Sequence, residues 1–286
     1  MDTSVILTYG SLWVAVMSIW LPNKVFNKIP LWVLFLVVSF VFAFVYDRAS
    51  IVSFVYTGIF GCIVYRYYQK KQLFLFFLVL LLSIPLLFHF SVMGFDNYRY
   101  LDTITLSENS TPYSLYFNLD KTAVGIFIIG FSFQSLKVDV LAMLKQVVIT
   151  FLIMALLFFV LATVLGYSKF EPKLPHFTPV WIVVNLFFTC LAEEAIFRRL
   201  IQQRIFDSLS KSHAKYAFGL SLIVASLAFG LAHFNGGVMY IGLASVAGLF
   251  YGYVYYRTKR IESAMFLHVL FNLTHLLLFT YPSLAS

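Results

Sequence analysis

The chain has 286 residues, of which 61% are hydrophobic and only 11% charged, with a mean hydropathy of +0.89. That composition excludes a soluble globular surface and identifies a polytopic membrane protein, all-α in class. The net charge of +8 is scattered between apolar runs instead of forming one basic face, which speaks for membrane topology and against nucleic acid as a partner.

The first apolar run, Val5 to Leu21, follows Asp2 and precedes Pro22-Asn23-Lys24, with no basic leader and no small-residue cleavage site. It reads as a first span and not as a removed signal peptide. Further runs cover Leu31 to Tyr46, Ala49 to Tyr65 and Leu73 to Phe90. Each approaches the ~20 residues that a hydrocarbon core of roughly 30 Å requires. Pro85 lies inside the fourth, where a membrane helix tolerates it. Ser91 to Asp120 is the long polar interval and reads as a loop; its Asn109-Ser110-Thr111 sequon is of a kind that arises by chance.

Lys121 to Gln134 is apolar but too short for length to decide whether it crosses. Val147 to Tyr167 is a full span, and Ser168 to Pro179, with three prolines, is a turn-rich connector. The chain is expected to divide into N-terminal transmembrane helices of unassigned role (1–145) and a motif-bearing transmembrane domain (146–286). Val180 begins a helix expected to continue amphipathically through Arg204 and Phe206. Ala217 to His233, Gly237 to Tyr256 and Ala264 to Tyr281 complete the set, with no internal repeat. Cys62 and Cys190 fall inside apolar runs without a CxxC pattern and are expected to be buried packing residues.

Charge placement bears on the short stretch. If Lys121 to Gln134 crosses, the chain is a bundle of about ten spans, and fifteen of the 20 Lys and Arg residues fall on one side. Only Arg48, Arg99, Lys121, Lys169 and Lys173 fall on the other. The positive-inside rule then puts both termini outside the cytoplasm.

Within the Val180 helix, Glu193 and Glu194 follow a long charge-free run, whereas the other acidic residues lie in loops or at the edges of apolar segments. A charge at the centre of a membrane helix costs roughly 2.5 to 3.5 kcal/mol on insertion scales, so such residues are read as functional. Glu194 and Arg198 stand four apart and can pair on one helix face. Asn185, Thr189 and Glu193 form a polar stripe suited to a protein interior or a wet cavity. The plainer alternative is a helix that ends here, with Glu193 to Arg199 as its solvated cap.

Two later spans also carry polar insertions. His233 ends the Phe229-Gly230-Leu231-Ala232-His233 segment, and His268 and Asn272 share a face of the last span, with His275 a further turn along. A carboxylate beside an imidazole can deprotonate water, and a second imidazole with a carboxamide can donate to a developing oxyanion. Glu193, His233 and His268 are equally ligand types for a catalytic zinc. Both sets of roles point to amide hydrolysis, driven by glutamate or assisted by metal.

Glu193-Glu194-Ala195-Ile196-Phe197-Arg198 fits EExxxR, Phe229 to His233 fits FxxxH, and His268 to Asn272 fits HxxxN. In this order, over about Val180 to Tyr281, the chain resembles the CAAX prenyl protease and bacteriocin-processing family (CPBP, or Abi). The resemblance implies an intramembrane endopeptidase in which Glu193 and His233 activate water. It gives His268 and Asn272 to the oxyanion or to a metal, and leaves Glu194 and Arg198 as the supporting pair. It further implies a peptide or protein substrate, lipidated or not, cleaved in a prokaryotic cytoplasmic membrane with the site open to the cytoplasm. Two other readings are a non-catalytic protein that confers immunity by binding a bacteriocin or partner, and an ion-coupled transporter. Against the second stands the confinement of the polar residues to the C-terminal half. On ten straight spans His233 would lie at the opposite end from Glu193 and His268. The eighth helix is therefore expected to stop at mid-depth, with Asn235-Gly236-Gly237 turning inside the protein.

Overall fold

A computed structural model describes residues 2–21, 24–25, 29–133 and 139–285 and is 75% helical. Pro22, Asn23, Lys28, Gln134 and Lys137, which entered the span limits and the charge count, lie outside the described residues. Each apolar run corresponds to a helix: α1 (Thr3–Ser18), α2 (Leu31–Val45), α3 (Ile51–Lys70), α4 (Leu73–Leu87), α5 (Leu119–Ser132), α6 (Val140–Leu165), α7 (Thr178–Ser212), α8 (Ala214–Leu231), α9 (Gly237–Thr258) and α10 (Ile261–Leu278). Among the described residues six helices, α3 and α6 to α10, are long and apolar enough to cross a bilayer. The protein is an integral membrane protein. Helices α1, α2 and α4 are apolar but have 15 or 16 residues, and α5 has 14. At 1.5 Å per residue these measure roughly 21 to 24 Å against the ~30 Å core, so their length alone does not show that they cross.

The interval from Ser91 to Asp120 is more than a loop. Tyr98–Ile104 (β1) and Tyr113–Phe117 (β2) pair as a two-stranded sheet, so the class is nearly, not wholly, all-α. Its aromatic and β-branched residues suit a pleated, half-buried surface.

The chain packs as two compact units that are not contiguous in sequence. The first takes the described residues of 1–100, 116–136 and 187–196. Its innermost helix is α5, in which Leu119, Asp120, Thr122 to Ile126, Ile128, Ile129 and Ser132 are buried. Lipid tails are as apolar as leucine, so helices associate in a bilayer through close packing, and small residues make that possible. Gly125 is such a residue: a Cβ there would lie 3.0 Å from the backbone of Ala192. The short stretch that length left undecided is thus the packing centre of this unit.

The second unit takes the described residues of 101–115, 137–186 and 197–286. Helix α6 begins at Val140, earlier than hydropathy indicated, because the Asp139 side chain accepts from the Ala142 N–H and caps it ahead of the apolar run. Helix α8 has 18 residues, roughly 27 Å. The turn that follows is exposed from Phe234 to Met239 and not enclosed, and Gly237 takes φ +80°, open to glycine, to start α9. Cys190 is buried, but Cys62 is exposed on α3 and is not a core residue.

Candidate active site

Helix α7 continues to Ser212, and Glu194 and Arg198 are both 0% exposed, so the solvated-cap reading fails. Asn185–Cys190 and Ala195–Gln202 are π-helical, and between them Leu191–Glu194 makes a single α turn that carries both glutamates. Widened turns of this kind are uncommon and gather at functional sites. They also change the angular step per residue, so the α-helical wheel used to place Glu193, Glu194 and Arg198 does not hold across this segment.

In the first unit Glu193 meets a partner that hydropathy did not offer. Lys121 Nζ, from the first turn of α5, donates to Glu193 Oε1 at 2.7 Å, and the two side chains are 14% and 12% exposed. Lys121 thus opens α5 and meets a carboxylate there, a contact the charge count gave no hint of. The helix start that presents it is itself fixed. Asn97 accepts from the Leu119 N–H at 2.8 Å, and the buried Asp120 carboxylate accepts from His89 Nδ1 at 2.8 Å and Asn97 Nδ2 at 3.0 Å. One turn beyond Lys121, Gly125 lets α5 lie against the backbone of Ala192, the neighbour of Glu193.

In the second unit the imidazoles are held by rings. The Phe229 ring is 4.6 Å from the His233 ring and 5.7 Å from the His268 ring, centroid to centroid. Both histidines of the motif set are thus brought to one phenylalanine. His233 Nδ1 lies 2.7 Å from the Phe229 carbonyl, which only accepts, so Nδ1 carries a proton and the neutral ring has its lone pair on Nε2. Its side chain folds back one turn along α8 to make that bond. His268 is buried and stacks on Tyr251 at 4.3 Å with 19° between the planes. Asn272 Nδ2 donates to Asn185 Oδ1 at 3.2 Å, which ties the last motif to the start of the polar stripe.

Arg198 sits in the same unit with its guanidinium 5.4 Å from the Phe229 ring centroid, an attractive arrangement for a cation over a ring face. Helix α9 accommodates it through Gly248 and Gly252: a Cβ at these positions would lie 3.3 Å from Arg198 Nη2 and 3.2 Å from Arg198 Nη1. At Gly252 the added carbon would also come within 2.5 Å of Gln202 Oε1, and Gln202 Nε2 donates to the Gly252 carbonyl at 2.9 Å.

Residues 175–274 match the family model described as type II CAAX prenyl endopeptidase, Rce1-like. This stretch is an Rce1-like domain. It holds Glu193, Glu194, Arg198, His233, His268 and Asn272, and it leaves Lys121 and His275 outside. The match points to a membrane protease of the CAAX class. No curated protein and no solved structure matches the chain.

Sequence reasoning missed Lys121, Tyr251 and Gly252. The first gave no signal beyond the shortness of its apolar stretch. The last did, since Gly248 and Gly252 form a GxxxG spacing, a known mark of close helix approach. Among the described residues no group of three or more His, Cys, Asp or Glu side chains is arranged to hold a metal ion.

Proposed function

We propose that the protein is an intramembrane endopeptidase of the CAAX-protease-like class, acting on a membrane-associated peptide or protein by glutamate- and histidine-activated water. The observation that carries this reading is the Rce1-like match over residues 175–274, which spans all three motifs in order. Glu193 accepts a proton from water as the water oxygen bonds to the peptide carbonyl carbon, and His233, with its lone pair on Nε2, shares the proton transfer. His268 and the second N–H of Asn272 Nδ2 donate to the oxyanion that forms. The intermediate collapses when the C–N bond breaks and the leaving amine takes the proton. Arg198 and Glu194 are the supporting charges on the same helix.

The enzyme sits in a prokaryotic cytoplasmic membrane, with residues 146–286 as its catalytic part. The basic loops orient ten crossings, the short helices included, with the site open to the cytoplasm. The test uses purified protein in detergent and two fluorogenic peptides ending in Cys-aliphatic-aliphatic-X, one prenylated and one not, with products identified by mass. Release of the C-terminal tripeptide from the prenylated probe is expected. Cleavage of both equally would remove the lipid from recognition, and cleavage of neither would contradict the reading. Chelator treatment separates the two chemistries: an unchanged rate fits the glutamate route, and a loss restored by zinc would assign the metal one.

A further inference from the structure

The family-matched stretch does not contain everything that touches its own glutamates. Lys121 lies 54 residues ahead of residue 175, where the match begins, and its ammonium is 2.7 Å from Glu193 Oε1 with both side chains almost buried. A near-buried ammonium loses its hydration and stays charged only where an anion meets it. Glu193 supplies the anion, and in return Lys121 restricts the glutamate side chain. The contact is built from both flanks and is not a chance meeting of two long chains. On the α5 side, Asn97, Asp120 and His89 fasten the turn that carries Lys121. Toward α7, Gly125 of the same helix sets the spacing to Ala192, one residue from Glu193.

We infer that Lys121 is a positioning residue for Glu193, so that the N-terminal helices complete the reacting group of the Rce1-like domain and do more than anchor it. The inference rests on the function proposed above. Lys121 acts through Glu193 and makes no contact with substrate. A base that has to meet a water in one geometry loses rate when its side chain samples others, and misplacement by about 1 Å costs about 100-fold. The effect therefore falls on kcat, with KM little changed. An arginine can still reach the carboxylate and keep its charge, whereas a methionine keeps the length and loses the pair.

The experiment compares the full-length parent with Lys121→Met, Lys121→Arg, Glu193→Gln and the double variant Lys121→Met/Glu193→Gln, using the prenylated fluorogenic peptide and thermal melting. Expected are a kcat loss of about 10- to 100-fold in Lys121→Met with KM within about twofold, and recovery of most of that loss in Lys121→Arg. Lys121→Met also melts at a lower temperature, and adding Glu193→Gln to it recovers part of the loss, because the stranded carboxylate has been neutralised. An active parent, an inactive Glu193→Gln variant and a fully active Lys121→Met variant would overturn the inference and leave the proposed function standing. Strictly additive melting shifts would overturn the pairing itself. A parent that cleaves nothing, or a Glu193→Gln variant as active as the parent, would overturn the proposed function and the positioning role with it, whatever the melting shows.

Discussion

The carboxylate side and the imidazole side of the motif set are held in different ways. Glu193 is met by a charge from another helix, Lys121, at 2.7 Å. His233 and His268 are met by the ring of Phe229, by the stacked ring of Tyr251 and by the carbonyl of Phe229. The difference follows from what each group needs. An ionised carboxylate taken from water needs a counter-charge or several donors, and Lys121 supplies the charge. A neutral imidazole needs only one acceptor and a flat apolar surface, which its own domain supplies. The carboxylate therefore draws on chain outside the Rce1-like stretch, whereas Phe229 and Tyr251 lie within it.

The comparison breaks most severely at Arg198, the buried charge of the second unit. Replacing it by Ala removes a fully buried guanidinium from between Phe229, Gly248 and Gly252 and should cost about 3 kcal/mol or more. Folded yield and melting temperature report this, with activity falling alongside. Lysine should restore only part, because it lacks the planar fork. Gly252→Ala comes next. Its Cβ would meet Gln202 Oε1 and Leu222 Cδ1 at 2.5 Å, and overpacking of this kind costs about 1 to 3 kcal/mol, seen as a lowered melting temperature.

A smaller effect sharpens the contrast at the imidazoles. Tyr251→Leu removes the ring stacked on His268, a contact worth about 0.5 to 1.5 kcal/mol, and leaves part of a buried site empty. The expected result is a fall in kcat of up to about tenfold, since about 1.4 kcal/mol is a factor of ten. The melting temperature should also fall. Asn185→Ala removes the acceptor of the Asn272 amide, a bond worth about 1 kcal/mol, and should slow turnover by a few-fold with KM unchanged.

Much of this was legible in the sequence, and the reasons are local. Apolar runs located all the helices, because a backbone in lipid has to satisfy its own hydrogen bonds. The Glu193 pair and the His268 and Asn272 pair stood out because charge and imidazole are rare inside such runs. Hydropathy did not reveal that Lys121 faces Glu193, because a lysine at the edge of an apolar stretch looks like any loop residue until the opposite helix is known. The π-helical turns around Glu193 left no trace either. The expected turn of Asn235-Gly236-Gly237 inside the protein was wrong, since Phe234 to Met239 are exposed, and two glycines mark a turn without saying whether it is enclosed.

The most direct test of the account is cleavage of the prenylated CAAX-type peptide by the parent and by Glu193→Gln, each shown to be folded by its melting transition. The amide keeps the shape of the side chain but cannot take a proton from water, so the variant should melt cooperatively and lose about 100-fold or more of the parent rate. A folded Glu193→Gln variant that releases the tripeptide as fast as the parent would contradict the role of Glu193 and the glutamate-driven peptidase built upon it.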